Sequence, residues 1–267
     1  MSEKFEHKKS LGQHFLNSDY VPKKMCDAAD LQAGDLVLEI GPGTGILTKE
    51  ILARGAKVVA IETDIRAITL LEESFSEAIA QGNLTIYHHD VRTLNLNDFG
   101  LVNQGYKVVS NIPYYLSGLL FRNLLDTECQ PTTLVFLIQK EVAERIARGK
   151  KESLLSLSVK VFGKPSYICT VKRGHFIPPP KIDSAIVAVN SINRENFKIL
   201  PAKLFFHFLR LGFGQKRKQL IGNLTSEFSR DSLEEIFADL DLKQTTRAED
   251  VSAEDWLGLS QKLYSLE

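Results

Sequence analysis

Between Asp35 and Gly149, five short apolar runs alternate with stretches of helical apolar spacing. The runs are "DLVLEI" (35–40), "AKVVAIE" (56–62), "NLTIYHH" (83–89), "YKVVSN" (106–111) and "TTLVFLIQ" (132–139). Each is short and apolar, which predicts strands, the first of them buried. Between them, "ILTKEILARG" (46–55) and "AITLLEESFSEAIAQG" (67–82) read as amphipathic helices ending at Gly55 and Gly82. Residues 116–126 and "KEVAERIARG" (140–149) read as two more helices. Strands alternating with helices imply an α/β domain with a mostly parallel sheet covered on both sides.

The rhythm then changes. "SYICTVKRGHFIPPPKIDSAIVAVN" (166–190) holds two β-rich runs around a proline-rich link, with no helix between them, so an antiparallel pair is expected near the end of this domain. From about residue 192 the spacing is helical, in "LFFHFLRLGF", "QLIGNLTSEF", "LEEIFADL" and "DWLGLSQKL". With 267 residues, the chain divides most simply into residues 1–191 and a small helical domain, 192–267.

In an open α/β sheet, ligands bind beyond the carboxyl ends of the strands. Three such ends carry chemistry here. The first strand runs into Gly41-Pro42-Gly43-Thr44-Gly45, whose glycines let a ligand approach the backbone closely. It is neither the G-x-G-x-x-G dinucleotide fingerprint nor a P-loop, since no Gly-Lys-Ser/Thr follows. Glu62, at the second strand's end, stands where a carboxylate accepts ribose hydroxyl protons. Asp90, past the third, can accept from an exocyclic adenine amine. A ligand with ribose and adenine but no pyrophosphate fits S-adenosylmethionine.

The fourth strand ends in "SNIPYY" (110–115). An aromatic amine is a poor nucleophile because its lone pair is delocalised into the ring. Two acceptors set around its N–H bonds favour the pyramidal geometry that attack on a sulfonium methyl requires. The Asn111 side-chain oxygen supplies one acceptor and the Ile112 carbonyl the other. Pro113 biases Ile112 toward extended backbone, and Tyr114 can stack on the base. Contacts that strengthen as the nitrogen gains charge stabilise the transition state selectively.

The chain has 33 basic and 33 acidic residues, but they are segregated. Arg194–Lys218 holds seven Lys/Arg against Glu195 alone, whereas Glu227–Glu267 holds eleven acids and four Lys/Arg. A neutral protein can thus present a basic face to RNA, and Lys216, Arg217 and Lys218 are its densest part. Three widely spaced cysteines, Cys26, Cys129 and Cys169, argue against a disulfide framework or zinc site. No apolar stretch approaches a membrane span, and the start lacks a signal-peptide core, so a cytoplasmic location is expected.

Taken together, "LGQHFL" (11–16), "EIGPGTG" (39–45), "IETD" (61–64), "HHDV" (88–91), "NIPY" (111–114), "HFIPPPKIDSAIV" (175–187), "GQKRKQL" (214–220) and "TTRAEDVS" (245–252) closely resemble the small-subunit ribosomal RNA adenine N6,N6-dimethyltransferases. Their core is shared with the large-subunit enzymes that confer macrolide resistance. The resemblance implies a Rossmann-like methyltransferase domain with a helical C-terminal domain. It implies S-adenosylmethionine contacts at His14, Leu16, Gly41, Glu62, Asp90 and Asn111. Many relatives carry Asn where His14 stands. Phe176 is expected to wall the target base, which must be flipped out or single-stranded, and the basic tract to contact phosphates. The partner implied is small-subunit RNA or its assembly intermediate, modified at two adjacent adenosines by a monomer. Two other readings stay open on the residues alone: a methyltransferase acting on other adenines, and a non-catalytic assembly or transcription factor retaining the fold.

Overall fold

The computed structural model describes residues 15–266; His14 and Gln13 lie outside them. The strands are β1 (Phe15–Leu16), β2 (Leu36–Ile40), β3 (Lys57–Glu62), β4 (Leu84–His88), β5 (Lys107–Asn111), β6 (Thr133–Gln139), β7 (Lys164–Val171), β8 (Phe176–Ile177) and β9 (Ser184–Asn190). All but β1 and β8 form a seven-stranded sheet of order β4-β3-β2-β5-β6-β9-β7. From β4 to β6 every pairing is parallel. The five strands read from the sequence are therefore adjacent, and the chain reverses its direction of travel between β2 and β5.

The central strands are buried on both faces: Val37, Leu38, Val108, Val109 and Leu134 through Ile138 are fully inaccessible. This is the burial that continuous apolar runs require when helices cover a parallel sheet. The antiparallel pairing expected near the domain's end is present, but its partner is β6: Leu134 lies opposite Val189 and Gln139 opposite Ser184. β7 lies beside β9 at the sheet's edge.

One expected helix is broken. The 67–82 segment forms Ile65–Ser74 and Ser76–Ala80, parted at Phe75, whose backbone (φ −123°, ψ 26°) is not helical. The Phe75 ring packs over the glycine turn: a Cβ on Gly45 would come within 2.5 Å of it. Tertiary packing here outweighs a continuous helical pattern.

Two compact units divide the chain, one comprising residues up to Ala143 plus Pro165–Ile192, the other Glu144–Lys164 plus Asn193–Glu267. The sheet belongs to the first. The second holds the helices Leu154–Lys160, Ala202–Gly212, Leu220–Leu224, Arg230–Asp239 and Ala253–Tyr264. Apart from Ile192, a single cut at 191/192 thus differs from this division in one segment, 144–164. That segment is tied to the later helices by Asn193 N–H donating to the Phe162 carbonyl (2.9 Å) and Glu152 N–H to the Glu249 carbonyl (2.7 Å). The Phe162 ring also meets Phe197 at 4.8 Å between centroids. Trp256 is fully buried in this unit and its indole N–H donates to the Ala248 carbonyl.

Candidate active site

At the carboxyl edge of the sheet, where β2 and β5 turn opposite ways, lies a cavity of about 770 Å3. Its wall opens because the two strands part: their ladder covers only Val37–Leu38 against Lys107–Val108. Further along, the buried Ser110 hydroxyl oxygen accepts the Ile40 N–H at 2.8 Å. A side chain replaces a ladder carbonyl, so the Ile40 donor stays paired where the crevice begins.

The glycine turn forms the floor. Gly41, Gly43 and Gly45 take φ values of 68°, 56° and 78°, the left-handed region that other residues enter at a cost. Gly41 N–H donates to the Ile61 carbonyl (2.9 Å) and Gly45 N–H to the Pro42 carbonyl (3.0 Å). A Cβ on Gly43 would lie 2.6 Å from the Phe15 ring, whereas one on Gly41 would meet nothing within 4 Å. Gly43 therefore allows the β1 segment to come down on the turn, and Gly41 faces open space.

Glu62 is 5% exposed. Its Oε1 accepts the N–H groups of Thr63 (2.8 Å) and Asp64 (2.9 Å), and its Oε2 that of Gly43 (3.2 Å). The carboxylate is thus fixed across the glycine turn, with one of its about four acceptor positions left for a ligand. Asp90 caps the turn Val91–Thr93 through Arg92 N–H (2.9 Å) and holds the Arg92 guanidinium at 2.5–3.0 Å. The Arg92 hydrogen bonds hold its carboxyl down at about 2. Asp90 lines the cavity, but an amine donor there must share it with Arg92.

Glu39 received no role from the sequence beyond its place before the turn. It is 1% exposed and lines the cavity. The Thr48 hydroxyl donates to its Oε2 at 2.7 Å. Burial pushes its carboxyl up to about 8, with the Thr48 hydrogen bond opposing and the Glu62 charge adding to the rise. The signal for it was present: an acid within the otherwise apolar run "LVLEI". Among the described residues, the carboxylates of Glu62, Asp64 and Asp90 line the cavity beside the uncharged Glu39, with Arg92 as the one Lys or Arg. Such a wall suits a cationic ligand and opposes a pyrophosphate.

Asn111, Ile112, Pro113 and Tyr114 line the opposite side. Pro113 is extended (φ −56°, ψ 132°) and its carbonyl accepts the Leu116 N–H at 2.9 Å. Tyr114 is half-buried; its hydroxyl meets the Ser184 hydroxyl at 2.7 Å, and burial pushes the phenol's pKa up. Leu16 lines the cavity, 6% exposed. The order β4-β3-β2-β5 sets Asp90, Glu62, Gly41 and Asn111 in one row along three strand spacings, about 14 Å.

Phe176, the residue expected to wall the target base, lies in the core. It is 2% exposed, pairs with Leu16 across the β1–β8 ladder and belongs to the same core cluster as Val21 and Met25, and it is not among the residues lining the cavity. An apolar ring next to a ladder gains more from burial than from waiting in water. Lys216, Arg217 and Lys218 are exposed in the other unit, on the loop between Ala202–Gly212 and Leu220–Leu224. Asn223 holds that loop by donating to the Gly212 carbonyl (2.5 Å) and the Gln215 carbonyl (3.3 Å).

Comparison with known proteins decides the family. The family described as ribosomal RNA adenine dimethylase matches residues 4–264. The chain belongs to the ribosomal RNA adenine dimethylase family. Similar relatives include a ribosomal RNA small subunit methyltransferase A from Dehalococcoides mccartyi, 38% identical over 93% of this chain and 86% of the relative. Another of that name, from Fusobacterium nucleatum, is 33% identical over 96% of this chain and 97% of its own. Among solved structures, a dimethyladenosine transferase from Plasmodium falciparum superposes with a TM-score of 0.76 at 28% identity, covering 92% and 96% of the two chains. The 23S rRNA methyltransferase ErmE has the same fold, with a TM-score of 0.74 at 23% identity over 94% and 99%.

Proposed function

We propose that this adenine dimethylase takes methyl groups from S-adenosylmethionine and places two on the N6 of each of two adjacent adenosines in small-subunit ribosomal RNA, acting on an assembly intermediate as a cytoplasmic monomer. The observation that carries the chemistry is the row of strand ends: Asp90, Glu62, the Gly41 turn and Asn111, in that order, with Pro113 and Tyr114 beyond. The cavity fits the cofactor. Its volume of about 770 Å3 is that of a small-molecule site, its carboxylates suit an ammonium and a sulfonium, and Gly41 leaves room at the backbone.

In this reading Glu62 accepts from the ribose, Asp90 from the adenine amine, and Gly41 and Leu16 flank the ligand. His14, outside the described residues, is proposed to contact the cofactor as well. The bound cofactor supplies an electrophilic methyl group. The chain's own task is to present the nucleophile. The Asn111 oxygen and the Ile112 carbonyl accept the two amine N–H bonds of the target adenine, drawing its lone pair out of conjugation. Pro113 holds that carbonyl in place, and the Tyr114 ring stacks on the base. As the nitrogen becomes positive both acceptors bind it more strongly, and the acidity of the resulting ammonium removes the need for a strong general base. Among the described residues no helix is long and apolar enough to cross a membrane.

The test is incubation with small subunits lacking the modification and with labelled cofactor, followed by nucleoside mass spectrometry. N6,N6-dimethyladenosine in small-subunit RNA is the expected product. Label in large-subunit RNA alone, or none, refutes the assignment.

A further inference from the structure

Tyr114 sits on the loop after β5, and Ser184 opens β9, two strands away across β6. Their hydroxyls nevertheless meet at 2.7 Å. Ser184 is fully inaccessible to solvent, and the contact is part-buried, between groups seventy positions apart. It lies at the end of the strand pair where Ser184 faces Gln139.

The start of β9 is braced. Next to Ser184, the Asp183 carbonyl accepts the Lys140 N–H at 3.1 Å. Its carboxylate accepts the Lys172 ammonium (2.8 Å) and the Arg173 N–H (3.1 Å). Two segments of the same unit, at Lys140 and at Lys172–Arg173, thereby hold the start of β9. On the other side, the Ser117 hydroxyl donates to the Tyr114 carbonyl at 2.7 Å. The backbone and the phenol tip of Tyr114 are both tied down, which leaves the ring little freedom to turn about its Cα–Cβ bond.

We infer that Ser184 is a positioning residue for methyl transfer: its buried hydroxyl pins the Tyr114 phenol and so fixes the place and long axis of the ring against which the target adenine is held. This rests on the proposed contact between Tyr114 and the base. A stack depends on ring orientation, and an amine held between Asn111 and Ile112 tolerates little tilt of its base. Ser184 makes that orientation a property of the fold before RNA arrives. It touches neither RNA nor cofactor in this reading; it acts through Tyr114 alone.

The experiment is a double-mutant cycle on single-turnover methylation of unmodified small subunits with cofactor and RNA saturating, using S184A, Y114F and the pair. Each single change is expected to slow transfer roughly three- to tenfold, the effect of one net hydrogen bond. The pair is expected to be no slower than either, with cofactor affinity unchanged. A readout independent of turnover is 2-aminopurine placed at the target adenosine of an RNA fragment: its quenching by the bound protein should weaken in S184A and Y114F alike. Two losses that multiply, or a wild-type rate in folded S184A, overturn the inference. Should S184A fail to fold, Y114F decides, because it keeps the ring and Ser184 and removes only the phenol hydroxyl; a wild-type rate in Y114F overturns it. Y114A separates the two layers. If Y114A is slow while Y114F is normal, Ser184 has no positioning role and the base contact stands. If Y114A is as fast as wild type, the base contact fails and this inference with it.

Discussion

Two side chains at the cavity make opposite demands on water. Asn111 is half-buried at the end of β5, where the proposed mechanism has its amide meet a neutral amine that becomes charged. Asn111→Ala removes one acceptor and leaves Pro113, Tyr114 and the Ile112 carbonyl. Removing a preorganised interaction of about 3–4 kcal/mol slows the chemical step roughly a hundred- to a thousand-fold. The expected result is that loss in single-turnover methylation at saturating cofactor, for both methyl additions, with an unchanged thermal melt. Near-normal rates would return "NIPY" to a structural turn. Glu39, by contrast, is shut away from water, and its carboxyl titrates at about 8 because burial disfavours the charge. In the unfolded chain a glutamate titrates near about 4.3. The folded form therefore binds the proton more tightly, and the stability this gives is complete below about pH 4.3 and is lost as pH rises toward and through about 8. Glu39→Gln cannot titrate and keeps a partner for Thr48. The stability of wild type relative to Glu39→Gln should fall between about pH 5.5 and 8.5 in denaturant titrations; a constant difference would mean that Glu39 is ionised throughout.

The β1–β8 ladder is the smallest element of the sheet system and the one whose variant best separates two readings. Phe15 lies over Gly43, Leu16 lines the cavity, and Phe176 underpins both from the core. Phe176→Ala should cost about 3–5 kcal/mol of stability, as other buried Phe truncations do, and weaken cofactor binding by loosening Leu16. Phe176→Leu, which keeps most of the apolar volume without a ring, should retain methylation. A base wall would behave otherwise: Leu would fail like Ala, and only Tyr or Trp would rescue single-turnover rates. This ladder also marks where sequence reading stops. The runs "LVLEI", "KVVAIE" and "KVVSN" announce themselves because a strand buried on both faces has to be continuously apolar. Their ends put Gly41, Glu62 and Asn111 at one edge on pattern alone, and "NLTIYHH" adds Asp90. Two-residue strands have no period to detect, and Leu16 meets Phe176 across more than half the chain. Tyr114 with Ser184, Thr48 with Glu39, and Phe75 over Gly45 are invisible for the same reason: each is a tertiary contact that local pattern does not encode. Helical spacing in "KEVAERIARG" likewise reveals an apolar face without naming what covers it.

For the molecule as a whole, formal charge sums to zero, so association with RNA has to depend on where the charges are. The cavity is walled by carboxylates, which repel a phosphate backbone and leave its grip to cations elsewhere. Lys216, Arg217 and Lys218 are exposed together on a loop fixed by Asn223. They are the proposed source of that grip. Backbone contacts act by releasing counterions, which makes affinity fall with salt at a slope set by the number of phosphates neutralised. Replacing all three with Ala should weaken binding to small-subunit particles. It should also flatten the slope of log K against log salt by up to about 0.9 for each phosphate no longer neutralised on duplex-like RNA. Cofactor affinity should hold, since no residue of the loop lines the cavity. The rate of methyl transfer from an already saturated complex should hold as well, because phosphate contacts position the substrate without touching its amine. Binding titrations from about 50 to 300 mM salt, paired with single-turnover rates at saturating particle, separate the two effects. An unchanged slope would make these three residues a solvated surface, and a fall in the saturated rate would place them nearer the chemistry than proposed.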